Sequence, residues 1–134
     1  MTDENDVTRI ALTLPEATHD GAGYGIRGKG FAWYYREKIP GRTGRIEHRD
    51  VLAIRVTNET EKQALIAAEP HKFFTDDHYR GFPAILARLP EMDEDELTEL
   101  LTDAYRIQAP KRLSKTLETN QPAPPPRTIS SPLP

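Results

Sequence analysis

The chain has no cysteine. That excludes disulfides, thiolate nucleophiles and cysteine-ligated zinc, and it suits a reducing cytoplasm. It also lacks any apolar run near the roughly 18 residues needed to cross a bilayer. The opening Met1-Thr2-Asp3-Glu4-Asn5-Asp6 is acidic and carries no apolar segment of the secretory type. An excess of positive charge is missing too: 18 Lys and Arg stand against 21 Asp and Glu, for a net charge of −3. Dedicated nucleic-acid domains are usually basic, so any contact with a polyanion has to come from local clustering. Apolar residues are few, at 37%. Together with 134 residues, this sets the expectation of a single cytoplasmic, monomeric domain with a modest core and no membrane association.

What is present falls into ordered blocks. Val7, Ile10, Ala11 and Leu14 recur at helical spacing, which predicts a helix over 5–14 capped by Asp3 or Asp6 and stopped by Pro15. Glycines crowd positions 21 to 30. Gly23-Tyr24-Gly25-Ile26-Arg27-Gly28 has the GxGxxG pattern, but a dinucleotide fingerprint needs a buried strand before it and a helix after it. The flanking residues are polar on one side and aromatic on the other. The block therefore predicts a hairpin: a strand near 24–27, a Gly28-Lys29-Gly30 turn, and a strand over 31–37. In that second strand Phe31, Trp33 and Tyr35 share one face, and Ala32, Tyr34 and Arg36 the other.

Residues 38–50 are polar and rich in turn-formers, and they predict a long hairpin loop. Leu52, Ile54 and Val56 mark the core face of a strand over 51–57. Asn58 and Glu61 have capping-box spacing ahead of a helix over 59–69. Phe73-Phe74 leads into a polar turn, and 83–89 forms a fourth strand. Asp93 and Glu96 repeat the capping-box spacing before a helix over 93–108, with Leu97, Leu100, Leu101, Ala104 and Ile107 as its apolar stripe. From Ser114 onward proline dominates, including Pro122-Ala123-Pro124-Pro125-Pro126, and this predicts a domain over 1–113 and a disordered tail over 114–134. The order α-β-β-β-α-β-α implies an α+β domain of two layers, a mostly antiparallel sheet with helices on one face.

The later blocks are the most specific as a set. Phe73-Phe74, His78-Tyr79-Arg80-Gly81-Phe82-Pro83-Ala84, Asp93-Glu94-Asp95-Glu96-Leu97 and Ala109-Pro110-Lys111-Arg112-Leu113, in this order and spacing, resemble the C-terminal half of the MmcQ/YjbR family. These are small bacterial proteins labelled DNA-binding. The resemblance covers roughly 7–113 and implies a compact α+β fold of the double-wing kind, likened to frataxin. The chain departs from the family pattern in the 38–50 segment and in the proline-rich tail.

Four clusters carry candidate chemistry. Between Arg27 and Arg55 the chain has eight basic residues, Arg27, Lys29, Arg36, Lys38, Arg42, Arg45, Arg49 and Arg55, against Glu37, Glu47 and Asp50. Trp33, Tyr34 and Tyr35 lie among them. Basic side chains neutralise phosphates and an aromatic face stacks on a base, so Arg42, Arg45 and Arg49 are candidate phosphate contacts, with Arg27, Lys29 and Arg36 beside them and Trp33 or Tyr34 as the stacker. A solvated hairpin with its aromatics in the core is the competing reading. Lys111 and Arg112 either extend this surface or offset a helix dipole.

The acidic run from Glu91 to Asp103 offers oxygen ligands to hard cations. The frataxin likeness places such a ridge on the first helix, whereas here it is on the last, so dipole and solubility effects suffice and no metal is expected. His78-Tyr79-Arg80 carries acid, base and anion-clamp chemistry, or else a packed Tyr79, an Arg80 paired with Asp76 or Asp77, and a Gly81 with positive φ. The expectation is a non-catalytic DNA-binding protein without cofactor. The alternatives are an adaptor that meets a protein partner through the acidic helix or the proline-rich tail, and a small-molecule or metal-binding domain at the His78 turn.

Overall fold

The computed structural model describes residues 1–120, with side chains through Lys115. The elements are α1 (Glu4–Ala11), β1 (Thr18–His19), β2 (Gly23–Ile26), β3 (Lys29–Lys38), β4 (Arg45–Arg55), α2 (Glu59–Ala68), β5 (Phe73–Phe74), β6 (Ala84–Arg88), α3 (Glu94–Gln108) and α4 (Lys111–Asn120), with short 3-10 turns at Asp77–Tyr79 and Leu89–Glu91. One antiparallel sheet runs in the order β1-β2-β3-β4-β6-β5. This is the expected α+β layering, with two short strands, β1 and β5, added at the edges.

Local chemistry sets the helix ends. Asp3 caps α1 by accepting from the amides of Asn5 and Asp6, and Asp6 accepts in return from the Asp3 amide, so both acids serve in one capping box. The helix stops at Ala11, yet Leu14 still reaches the core with Val7, Ile10 and Ala11 through a tighter final turn. Asn58 and Asp93 cap α2 and α3 through the amides of Glu61 and Glu96. Neither makes the reciprocal half of the box: the Glu61 carboxylate accepts from the Thr57 amide, and the Glu96 carboxylate holds Lys72.

The main core lies between the sheet and α1 with α3. It contains Tyr24, Ile26, Phe31, Ala32, Tyr34, Leu52, Ile54, Ile85 and Ala87 from the strands, Val56 just after β4, and Leu97, Leu101, Ala104 and Tyr105 from α3. The α3 stripe is rotated from the expected one. Tyr105 is buried and donates its hydroxyl to the Pro15 carbonyl at 2.8 Å, while Ile107 is 37% exposed and Leu100 is only partly buried. A second, smaller cluster covers the opposite face, where Tyr35, Val51, Ala53, Tyr79, Ala84 and Leu86 meet Trp33 and Phe74.

Three backbone details correct the expected hairpin. The β2–β3 turn is Arg27-Gly28, with φ of 53° and 81°, the left-handed pair that closes two-residue hairpins; Lys29 and Gly30 already belong to β3. Phe31 sits in a bulge, because Tyr24 pairs with Ala32 but Gly25 pairs with Gly30. The bulge sends Phe31 to the helix side with Ala32 and Tyr34, away from Trp33 and Tyr35. The 38–50 segment is mostly strand. β3 continues to Lys38 and β4 begins at Arg45, so only 39–44 forms the loop, with Gly41 and Gly44 at φ of 80° and 81°.

At the other end, α4 carries the ordered chain past the boundary expected after Leu113, and Leu113 itself is buried against the main core. Ser114 to Asn120 are helical, and the rest of the proline-rich segment lies outside the described residues.

Candidate nucleic-acid interface

β3 and β4 run past the rest of the sheet as a two-stranded arm. Tyr35 pairs with His48, Arg36 with Glu47, Glu37 with Ile46 and Lys38 with Arg45. Three residues of β4, Arg49, Asp50 and Val51, bulge between the Leu52 and His48 pairings. The bulge bends the strand where the arm leaves the sheet. On the arm, Arg36, Lys38, Arg42 and Arg45 have exposed side chains, and among the described residues none of the four has a carboxylate within ion-pair distance. The arm's acids are partly spent: Glu37 bonds His48 at 2.8 Å, and Glu47 meets Arg49 at 3.3 Å.

The other basic candidates are placed differently. Arg49 lies at the base of the arm, bonded to Glu4 at 2.9 Å and to the Gly21 carbonyl at 2.9 Å, with its guanidinium 4.0 Å from the Tyr34 ring centre. The bond to Glu4 holds its pKa above the ordinary arginine value. Arg27 pairs with Glu16 at 2.8 Å. Arg55 has its Nε buried and its guanidinium 5.2 Å from the Phe82 ring. Lys29 is exposed at the start of β3. Lys111 and Arg112 open α4 as well as following α3, and Arg112 lies close enough to Glu16 to lower its pKa, though Arg27 does more.

The aromatic candidates separate cleanly. Tyr34 is buried in the main core, with its hydroxyl 2.8 Å from that of Tyr24, which lies 2.7 Å from the Thr8 hydroxyl. Burial raises its pKa strongly. Tyr34 is therefore a packing residue and offers no face to a base. Trp33 is on the opposite face and only partly buried; its indole N–H donates to the Tyr79 hydroxyl at 2.9 Å and its ring meets the edge of Phe82.

The His78 turn holds this second aromatic cluster in place. Asp76 caps the turn through the Tyr79 amide and also accepts a short hydrogen bond from the Tyr35 hydroxyl. Tyr79 is buried, Arg80 pairs with Asp77 at 2.5 Å, and Gly81 has φ of 76°. His78 is exposed, its ring against that of Tyr79. A cavity of about 570 Å³ opens between the turn and the arm, with Tyr35, Glu37, Lys38, Asp76 and His78 in its wall. Beneath the turn, the fully buried Lys62 of α2 donates to the carbonyls of Tyr79 and Phe82 at 2.5 and 3.0 Å. Sequence reasoning misses Lys62, because a lysine one turn from Glu59 looks like a solvent-side ion pair.

At the start of α3 three acids are committed. Glu94 meets Arg9 at 3.0 Å, Glu96 meets Lys72 at 2.7 Å, and Asp93 is the cap. Among the described residues no cluster of His, Asp and Glu is arranged to hold a metal ion.

With the same blocks now placed on one fold, comparison with known families is decisive. The model of the family described as YjbR matches residues 12–107. This chain belongs to the YjbR family. Its relatives include two proteins described as uncharacterised, one from Mycobacterium bovis and one from Mycobacterium tuberculosis. Each is 36% identical over 126 residues, covering 87% of this chain and 95% of the relative. No solved structure matches the chain. For this YjbR protein, the match spans the sheet, the arm and α3, and ends before α4. Among the described residues no helix is long and apolar enough to cross a membrane.

Proposed function

We propose that this YjbR protein binds DNA, without catalysis, through the β3–β4 arm. The observation that carries the reading is the charge state of that arm: Arg36, Lys38, Arg42 and Arg45 are exposed and free of carboxylate partners among the described residues, on a ribbon two strands wide. A two-stranded ribbon fits the major groove of B-form DNA, which is about 12 Å wide. Cations without carboxylate partners are the ones that gain by displacing counterions from phosphates. The phosphate contacts are thus assigned to Arg36, Lys38, Arg42 and Arg45, and Arg49 is assigned to holding the arm against α1.

The test is binding of a labelled duplex to the full chain across a salt series. Replacing the four arm cations by Ala is expected to weaken binding alike for all sequences. It should also flatten the dependence of log affinity on log salt by roughly 0.9 for each phosphate no longer neutralised. Unchanged affinity and slope in a folded variant would remove the arm as the binding surface.

A further inference from the structure

The glycine-rich block does not act as a phosphate loop, and the structure gives it another use. On the sheet face away from the helices, β2 presents no side chains: Tyr24 and Ile26 turn into the main core, and Gly23 and Gly25 are what remain. Gly25 pairs with Thr18 on one side and Gly30 on the other, and Gly23 pairs with Trp33. The result is a groove of about 270 Å³ bordered by Thr18, Asp20, Gly23, Gly25, Gly30 and Trp33. Its floor is backbone, including that of Tyr24 whose ring turns into the core, and the indole of Trp33 stands at its side.

Two observations show that the groove is built by its surroundings. A Cβ on Gly23 would sit 2.8 Å from the Ala32 carbonyl oxygen and 2.8 Å from the Trp33 Cβ, so a side chain there is excluded by close strand packing. The indole is fixed from its far side, by the hydrogen bond to Tyr79 and the edge contact with Phe82. It therefore meets a ligand with little rotamer freedom left to lose. Lys29 borders the groove through its backbone beside Gly25, and its pairing with the core-facing Ile26 sets its side chain on the helix side. Asp20 is the one carboxylate lining it, and its Oδ1 accepts the amides of Ala22 and Gly23 at 2.9 Å each, which holds the group ionised.

We infer that this groove takes an unpaired base of a DNA single strand, stacked on Trp33 beside the glycine floor. A flat ring suits a floor without side chains, and an indole is a stacking surface for any base. A duplex cannot enter, because its bases are stacked on one another inside the helix. The groove and the arm share β3, with Gly30 and Lys38 roughly 26 Å apart at strand spacing. This inference rests on the DNA-binding reading and adds a second, single-strand-specific contact to it.

Trp33 is the only tryptophan in the chain, so its fluorescence reports the groove directly. The full chain is titrated with an unstructured oligodeoxynucleotide of about 12 residues and separately with a duplex, reading tryptophan emission and the anisotropy of a label on the DNA. Single strand is expected to quench Trp33 in step with binding, and duplex to bind without that quench. Gly30→Val places methyl groups on the floor, where a Cβ meets the indole at an ordinary 3.6 Å. It is expected to weaken single-strand affinity about five- to hundredfold, the range expected for the loss of one base stack, while duplex affinity stays unchanged. Trp33→Phe keeps a smaller ring, and its labelled-DNA anisotropy should show a smaller loss. Single-strand binding with no quench, or with full affinity in a folded Gly30→Val chain, would overturn the groove and leave the arm standing. Binding to neither form would overturn both.

Discussion

Lys62 allows the most severe test of how the second face is held. It lies in α2 with no exposed surface, and its ammonium donates to the carbonyls of Tyr79 and Phe82 while standing 3.6 Å from Glu59. Lys62→Met keeps most of the apolar stem and removes the charge and both donors. Each charge-assisted bond is worth about 1.5–3 kcal/mol, and the carbonyls left behind are costly where water cannot reach them. A better-matched apolar side chain offsets part of this, so the net cost works out at about 3–5 kcal/mol. Against a total of about 5–15 kcal/mol for a domain of this kind, that is a large share. At this size a kilocalorie moves the melting temperature by about 3–5 °C. Thermal unfolding followed by circular dichroism should therefore fall by about 10–20 °C. The Trp33 emission should also change in the folded variant, because its Tyr79 and Phe82 partners are the residues whose carbonyls Lys62 holds. A melting temperature within about 3 °C of the native chain would refute the reasoning. It would mean that the turn is held by Asp76 and packing, with the lysine a passenger.

Two further outcomes follow from the geometry. Leu101→Ala should cost roughly 2–5 kcal/mol, whereas Ile107→Ala should change little, since Leu101 is buried and Ile107 is 37% exposed; a urea titration of both variants decides it, and equal losses would put the α3 stripe where simple periodicity draws it. Asp20 has its pKa lowered by the amides of Ala22 and Gly23, so its contribution is present above the unfolded carboxylate pKa of about 3.9 and is lost as pH falls through the depressed folded value. Asp20→Ala should therefore melt below the native chain at pH 7, and the gap should close as pH falls through the depressed folded value; a gap independent of pH would show that the carboxylate charge is irrelevant there.

What is legible in the sequence follows the strength of its pattern. Asp3 and the apolar stripe from Val7 make α1 legible because a cap and a period agree, although the helix ends at Ala11, ahead of the expected stop at Pro15. The double Phe, the His78 turn and the α3 stripe stand out together because their spacing is unusual. Bulges leave no such trace. The alternation that puts Phe31 with Trp33 and Tyr35 holds only in an unbroken strand, and one extra residue moves Phe31 to the helix side. The arm reads as a loop for a related reason: a ribbon with solvent on both sides has no apolar alternation to display, so Arg45 to Asp50 look like polar linker although the backbone is strand. The choice between Trp33 and Tyr34 as the available ring is also closed to inspection, because it turns on which face the helices cover.

The charges show why composition is a poor guide to binding in this chain. Of the eight basic residues between Arg27 and Arg55, Arg27 and Arg49 are held by Glu16 and Glu4, and Arg55 is tucked against Phe82. Those three are engaged within the domain. The other five, Lys29, Arg36, Lys38, Arg42 and Arg45, are exposed along β3, the loop and the start of β4. On the opposing side, Glu94 and Glu96 are engaged by Arg9 and Lys72, so part of the acidic excess of α3 is neutralised within the domain. A field is felt only within a Debye length of about 8–10 Å at moderate salt. A phosphate at the arm therefore meets the local cations before it meets the net charge of −3. The same screening sets the condition for the proposed DNA contact: it must weaken steeply with salt, because at the arm it rests on exposed charges and no buried surface.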